Sequence, residues 1–234
     1  MGFFGKLFGK RTKETKKMKS FDEMSEEEKL QEVAVFIKVN AEDGDAEHQY
    51  NLGMMYVTGK GPHGHGTYKK DVQTGMKWLE KSAIQGYADA QNALGQMYKN
   101  AEDNDSALKW YIKAANQDHI GAVINLAMMY GMGEGVAKDR RKAHELFLRA
   151  AKQGEPFAQY IVGDNLMNGD GVEADVGEAV KWFSRAADQG EPNAQFELGQ
   201  IYELGGGDLE VARKWYEKSA AQGNERAQQR LREL

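Results

Sequence analysis

The stretch AVINLAMMYGMGEGVAKDRRKAHELFLRAAKQG, from Ala122 to Gly154, decides the fold. Leu126, Ala127 and Tyr130 recur at the spacing of one helical stripe, and Gly133 and Gly135 then interrupt it. Asp139 precedes a second stripe of Ala143, Leu146 and Ala151, and Gly154 comes where a helix would stop. The stretch reads as two helices joined by a glycine-bearing loop.

The same unit recurs along the chain. NLGMMY, ALGQMY, NLAMMY, IVGDNL and ELGQIY carry the anchors Leu52, Leu94, Leu126, Val162 and Leu198, with a partial copy at Leu231. Trp78, Trp110, Leu146, Trp182 and Trp215 share one column of the second helix, flanked by small residues three before (Gly75 to Ala212) and five after (Ala83 to Ala220). A small–large–small stripe lets one helix bury itself against two neighbours. Asp71, Asp103, Asp139, Asp175 and Asp208 stand where an N-cap carboxylate accepts the free N–H groups of the first turn. Lys81, Lys113, Arg149, Arg185 and Lys218 fall near the C-terminal end, where a cation complements the helix dipole. Gly44, Gly86, Gly154, Gly190 and Gly223, with Asp118 as the exception, occupy the left-handed stop position. Gly53, Gly95, Gly163 and Gly199, with Ala127 in the third copy, sit inside first helices at a cost of about 1 kcal/mol each. That cost implies close helix approach, and Gly→Leu there should overpack.

From each column Asp to the next anchor, as in 71 to 94 or 175 to 198, the separation is always 23 residues. Length varies only in the loop inside each repeat. The expectation is a rigid second-helix–turn–first-helix joint, with loops lying outside the packed stack and free to diversify. Residues 26–45 read as a leading half-repeat opened by a Ser25–Glu28 capping box, and 226–234 as a terminal capping helix rich in charge. The expected organisation is a basic leader over 1–24 and a repeat array over 25–234. Within the array the full repeats are 46–87, 88–120, 121–156, 157–192 and 193–225.

These columns resemble the Sel-one-like repeat family (SLR), longer-looped relatives of the tetratricopeptide repeat. Ala122 to Val136 and Ala158 to Val172 match its pattern nearly throughout, and the resemblance covers about residues 26–234. The second copy lacks the GxG loop and the first inserts GPHGHGTYKK. The resemblance implies an all-α, right-handed α/α superhelical solenoid of helix-turn-helix repeats. It also implies that the first helices line a concave face used as a scaffold for protein partners.

Composition bounds the remaining classes. The 234 residues are 41% hydrophobic and 29% charged, an ordinary globular balance that excludes wholesale disorder. No apolar run is long enough to cross a bilayer. Cysteine is absent, which removes disulfides, thiolate metal sites and cysteine nucleophiles and fits a reducing compartment. Residues 1–20 carry seven cations against Glu14, a net +6, leaving −11 for the rest of a chain whose net charge is −5. An acidic body repels phosphates, so nucleic acid is not the expected partner. Phe3, Phe4, Leu7 and Phe8 interleave with Lys6, Lys10 and Arg11, giving either a solvated tail or a weak contact with an anionic membrane. The broken apolar stretch and the order of its charges do not fit a signal peptide, so a cytoplasmic location is expected, with the inner membrane face as an option.

Chemistry-bearing motifs are few. Gly59 to Gly64 satisfies GxGxxG, but a helix precedes it where the dinucleotide fingerprint needs a strand. His63 and His65 in that loop lack a paired-ligand motif, so no metal and no cofactor is expected. Ser106 and Lys109 fit S-x-x-K, an element of penicillin-recognising enzymes. No Ser-Asp-Asn or Lys-Thr-Gly accompanies it, so the chain reads as non-enzymatic, with hydrolysis as a remote alternative.

The stronger candidate site is a groove. Two residues before each anchor stand Tyr50, Asn92, Ile124, Tyr160 and Phe196; two after stand Met54, Gln96, Met128, Asp164 and Gln200. By analogy with tetratricopeptide packing these columns face inward, and unlike the packed columns they vary. Aromatic and Met side chains among amides suit a peptide groove, while core packing of Tyr50, Tyr160 or Phe196 fits the spacing equally well. The expected function is a scaffold holding a segment of a protein partner. The alternative is an immunity- or inhibitor-type protein that blocks an effector with the same face.

Overall fold

The structure is a computed structural model and describes residues 21–206 and 208–234; the leader residues Phe3, Phe4, Lys6, Leu7, Phe8, Lys10 and Arg11 lie outside them. Among the described residues there are twelve α-helices, two short 3-10 turns (Phe21–Glu23 and Pro62–Gly64) and no strand beyond one isolated bridge, Lys60 to Thr67. The helices fall into two compact units divided between Gln96 and Met97, each taken by itself.

The first unit contains α1 (Glu26–Glu42), α2 (Ala46–Thr58), α3 (Val72–Ile84) and the start of α4 (Ala88–Asn100). Ser25 and Glu28 close the capping box at α1, as its sequence requires. Ile37, Ala41, Leu52 and Met55 form its core, with Trp78 and Tyr68 packed at the margin. Gly53 is seated against α3: a Cβ there would lie 2.8 Å from Leu79 Cγ.

The second unit continues with α5 (Asn104–Ala115), α6 (Ile120–Met132), α7 (Arg140–Lys152) and α8 (Pro156–Asn168), then α9 (Val176–Asp188), α10 (Pro192–Leu204), α11 (Leu209–Ala221) and α12 (Glu225–Glu233). Its main core repeats the small–large stripe, with Ala107, Leu146, Phe147, Ala179, Trp182 and Phe183 buried beside Leu126, Val162 and Leu198. The interior glycines are contact points here too. A Cβ at Gly163 would lie 2.7 Å from Phe183 Cδ1, closer than packed atoms approach.

Helix ends obey the expected columns. Asp71, Asp103, Asp139, Asp175 and Asp208 each accept a backbone N–H of the first turn. Gly154 has φ +93°, Gly154 N–H donates to Ala151 O, and Glu155 N–H donates to Ala150 O, a Schellman stop. Asp118 takes the same left-handed position at φ +60°.

Two expectations need correction. The loops do not all lie outside the packing. Gly135 rests on Asn104 and Gly171 on Arg140, the first residues of α5 and α7, where a Cβ would fall 2.8 Å and 2.3 Å from the nearest atoms. Arg140 Nη1 also pairs with Asp170 Oδ1 at 2.8 Å, and Val136 and Val172 pack on the core. The GxG loop therefore docks on the second helix of the repeat before it, because two backbones meet there and only glycine leaves room. The second correction concerns Phe196, which is 4% exposed, packs against Tyr216 at 5.5 Å and lies under Arg226. With the Arg226 side chain of α12 laid over it, Phe196 is core and not groove.

Candidate functional site

The remaining candidate residues divide between the two units. Tyr50 and Met54 in α2 and Asn92 in α4 are half-buried, and Gln96 is exposed. In the second unit Ile124, Met128, Tyr160, Asp164 and Gln200 are all half-buried, from α6, α8 and α10. Ile124, Met128 and Tyr160 rest on the core and keep part of their surface in solvent. Helical geometry explains this, since residues two before and two after a buried anchor sit at the margins of the packed stripe.

Each unit places carboxylates around a tyrosine at this margin. In the first, Tyr50 and Tyr87 stack at 5.4 Å, and the Tyr87 hydroxyl donates to Asp89. Burial pushes the Tyr87 phenol up to about 12, helped by the charges of Asp89 and Glu47. In the second, burial pushes the Tyr160 phenol up to about 12, with Asp164 and Glu197 adding to the effect. Asp164 and Glu197 are themselves raised, first by burial; each also feels another carboxylate, and Arg226 opposes the shift in both. Asn168 Nδ2 donates to Asp164 at 2.9 Å, and Arg226 Nη1 reaches Glu197 at 3.4 Å while lying 4.1 Å from the Phe196 ring centre.

The other motifs resolve into ordinary structure. The Gly59–Gly64 segment leaves α2 through Gly59 at φ +72° and turns at Pro62–Gly64, with His63 and His65 exposed. Among the described residues no group of His, Asp and Glu is arranged to hold a metal ion. The Ser106 hydroxyl and backbone N–H both serve Asp103, whose carboxyl they hold below its usual range, and Lys109 is exposed on α5. No helix among the described residues is long and apolar enough to cross a membrane.

Two features of the folded chain go beyond the columns visible in sequence. The cations near the second-helix ends cover tryptophans: Lys81, Lys113, Arg185 and Lys218 lie 4.1, 4.0, 4.5 and 4.1 Å from the rings of Trp78, Trp110, Trp182 and Trp215. Buried glutamines tie successive helices. Gln49, Gln91, Gln159 and Gln195 donate to the carbonyls of Ala41, Ala83, Ala151 and Ala187, eight residues earlier. Gln85, Gln189 and Gln222 in turn donate to Gln49, Gln159 and Gln195. The signal was a polar residue recurring three before the anchor, in a stripe that is otherwise apolar.

Comparison with known proteins gives one consistent answer. The model of the Sel1 repeat matches residues 46–87, 88–119, 121–155, 156–191 and 192–224. A protective antigen of uropathogenic Escherichia coli with an SLR fold is similar at 33% identity and a TM-score of 0.77, over 87% of this chain and 44% of that one. A Sel1 repeat protein from Oxalobacter formigenes is similar at 28% identity and a TM-score of 0.69, over 82% and 76% of the two chains. An immunity protein of Pseudomonas aeruginosa shares the fold at 20% identity and a TM-score of 0.52, over 82% of this chain and 74% of that one. The chain spans 13% to 24% of the length of the curated relatives it matches.

Proposed function

Because the chain belongs to the Sel1 repeat family, whose members are generally protein-interaction scaffolds, we propose that it holds a segment of a protein partner on the margin of the first helices of its second unit. The observation that carries this reading is the contrast between columns. The packed positions repeat from copy to copy, while Ile124, Met128, Tyr160, Asp164 and Gln200 differ and stay half-buried at the surface. Rigid aromatic and adaptable Met side chains beside polar groups suit a peptide held in extended contact. Ser106 and Lys109 have helix-building roles, which favours a non-catalytic chain. An immunity- or inhibitor-type protein is the same mechanism with an effector as the segment's owner, and the shared fold of the Pseudomonas protein is what favours keeping it.

The test is affinity capture with mass spectrometry, comparing the intact chain with Tyr160→Lys. Capture of a specific partner should fall by about tenfold or more with the thermal transition unchanged. Equal capture, or loss of helicity, would place Tyr160 in the core and remove the reading. A partner encoded beside this chain and bound one to one would select the immunity form.

For the leader we propose peripheral contact with an anionic membrane from the cytoplasmic side, supported by Phe3, Phe4, Leu7 and Phe8 and by its net charge. Deleting residues 1–19 should lower recovery on anionic lipid vesicles and leave the thermal transition in place. Equal recovery would retire the contact.

A further inference from the structure

Within the five full repeats, Lys and Arg are sorted by helix type. Every second helix, α3, α5, α7, α9 and α11, carries at least two Lys or Arg residues. The first helices of the five full repeats, α2, α4, α6, α8 and α10, carry one among them, Lys99, and Glu134 pairs with it at 2.9 Å; the terminal helix α12, a partial sixth copy, adds Arg226, Arg230 and Arg232. Carboxylates are not sorted in this way: Glu47, Asp89, Asp164, Glu197 and Glu203 all stand on first helices. Within the full repeats of each unit the first-helix margin is thus nearly free of cations and set with acids, beside Tyr50 in the first unit and beside Tyr160 in the second.

We infer that the segment held on this margin is cationic, with Lys or Arg side chains interleaved with aromatic or aliphatic ones. The inference rests on the proposed binding role and adds the chemistry of the partner. Charge complementarity argues for it: Asp164, half-buried on α8 with the Asn168 amide donating to it, gains most from a cation brought in with its own apolar cover, whereas Glu197 and Glu203 on α10 already pair with Arg226 and Arg230. The protein displays the interaction once, with its own residue. Arg226 of α12 lays its guanidinium over Phe196 and reaches Glu197, so a ring and a carboxylate on a first helix together receive one cation. Tyr160 and Asp164 set a ring and a carboxylate together again on α8, one turn apart; α6, α8 and α10 carry no Lys or Arg, and Arg226 of α12 acts on this pair through its charge.

The experiment titrates the full chain into a dye-labelled peptide, KFSKLSKFSK, and into the same peptide with every Lys changed to Glu, reading anisotropy. The Lys peptide should bind at least about tenfold tighter, and its affinity should fall as salt is raised. Asp164→Lys should weaken it about tenfold, and Asp164→Asn, which keeps the side chain's shape, about threefold. Asp188→Lys makes the same change of charge at an exposed position on the second helix α9 and should leave affinity within about twofold. Equal binding of the Glu peptide overturns the inference. Equal weakening by Asp164→Lys and Asp188→Lys does so too, because attraction would then belong to the acidic body as a whole. Capture of a partner that depends on Tyr160 while the Lys peptide fails to bind would leave the scaffold role standing and remove only its cationic chemistry.

Discussion

The third repeat and the fifth build the same joint with different chemistry. In the fifth, the Gln195 amide donates to Ala187 O across the turn, and Gln222 bridges Gln195 and Gly190 O. In the third, Val123 stands where the glutamine would be, and the carbonyl of Ala115 is met instead by Arg149 Nη2 from α7. The same guanidinium pairs with Asp118, which replaces glycine in the turn, and it is free to do so because Leu146 stands where the other copies have tryptophan. Four columns change together: Val for Gln, Asp for Gly, Leu for Trp, and an Arg turned from a ring to a carbonyl. What is retained is the satisfied carbonyl at a buried turn, since a polar backbone group left unpaired there is expensive.

The largest effect should come from testing the other difference between the copies, Ala127 against glycine. Gly163→Leu forces atoms into Phe183 and should cost about 3 kcal/mol or more by overpacking, read as a lowered denaturant midpoint. Ala127→Gly in the third repeat should cost about 1 kcal/mol, from helix propensity alone. Next comes Gln195→Val, which copies the third repeat's valine without its arginine. It strands Ala187 O and takes away one of the two acceptors of the Gln222 amide, which keeps Gly190 O, and should cost about 2 kcal/mol by the same measurement.

Arg149→Ala should cost about 1 to 2 kcal/mol, and adding Val123→Gln should restore most of it, because the amide then reaches Ala115 O. Additive losses in that double variant would break the equivalence of the two joints.

The smallest effect is a pH dependence confined to the third repeat. His144, 7% exposed, has Asn165 at 3.3 Å, and burial holds its pKa below the ordinary 6.5, with Glu145 opposing. As pH falls through 6.5 the unfolded chain takes up the proton first, so stability that is constant above that value declines below it. The slope is at most about 1.4 kcal/mol per unit of pH. His144→Val, which copies Val180 of the next repeat, should flatten the midpoint between about pH 7.5 and 5.5.

The helices, their Asp caps and their glycine stops were legible because each depends on residues within one turn of itself. The tight seats of Gly53 and Gly163 were legible for a related reason: a glycine inside a helix is a local cost that needs a distant cause. The glutamine ties were not, although Gln49, Gln91, Gln159 and Gln195 recur as regularly as any core column. Their partners are a carbonyl eight residues back and an amide on the next helix, and only the folded chain brings those together. The GxG loops misled for the same reason, since what Gly171 touches is the start of α7, about thirty residues earlier in the chain. At the candidate site, spacing identified the margin of the stripe but not which ring a distant arginine would cover. Phe196 and Tyr160 occupy one column, and the Arg226 guanidinium laid over Phe196 is what separates them.

Because Arg149 of the third repeat reaches back to Asp118, the natural block of exchange between copies is offset from the repeat itself. A recombination event that carried Gly121–Gly154 to a new position would set Arg149 against a glycine turn and leave it without its carboxylate. One that began a few residues earlier would carry donor and acceptor together. Duplication and loss of copies in such an array should therefore favour breakpoints within the second helices, upstream of each turn, over breakpoints at the turns themselves.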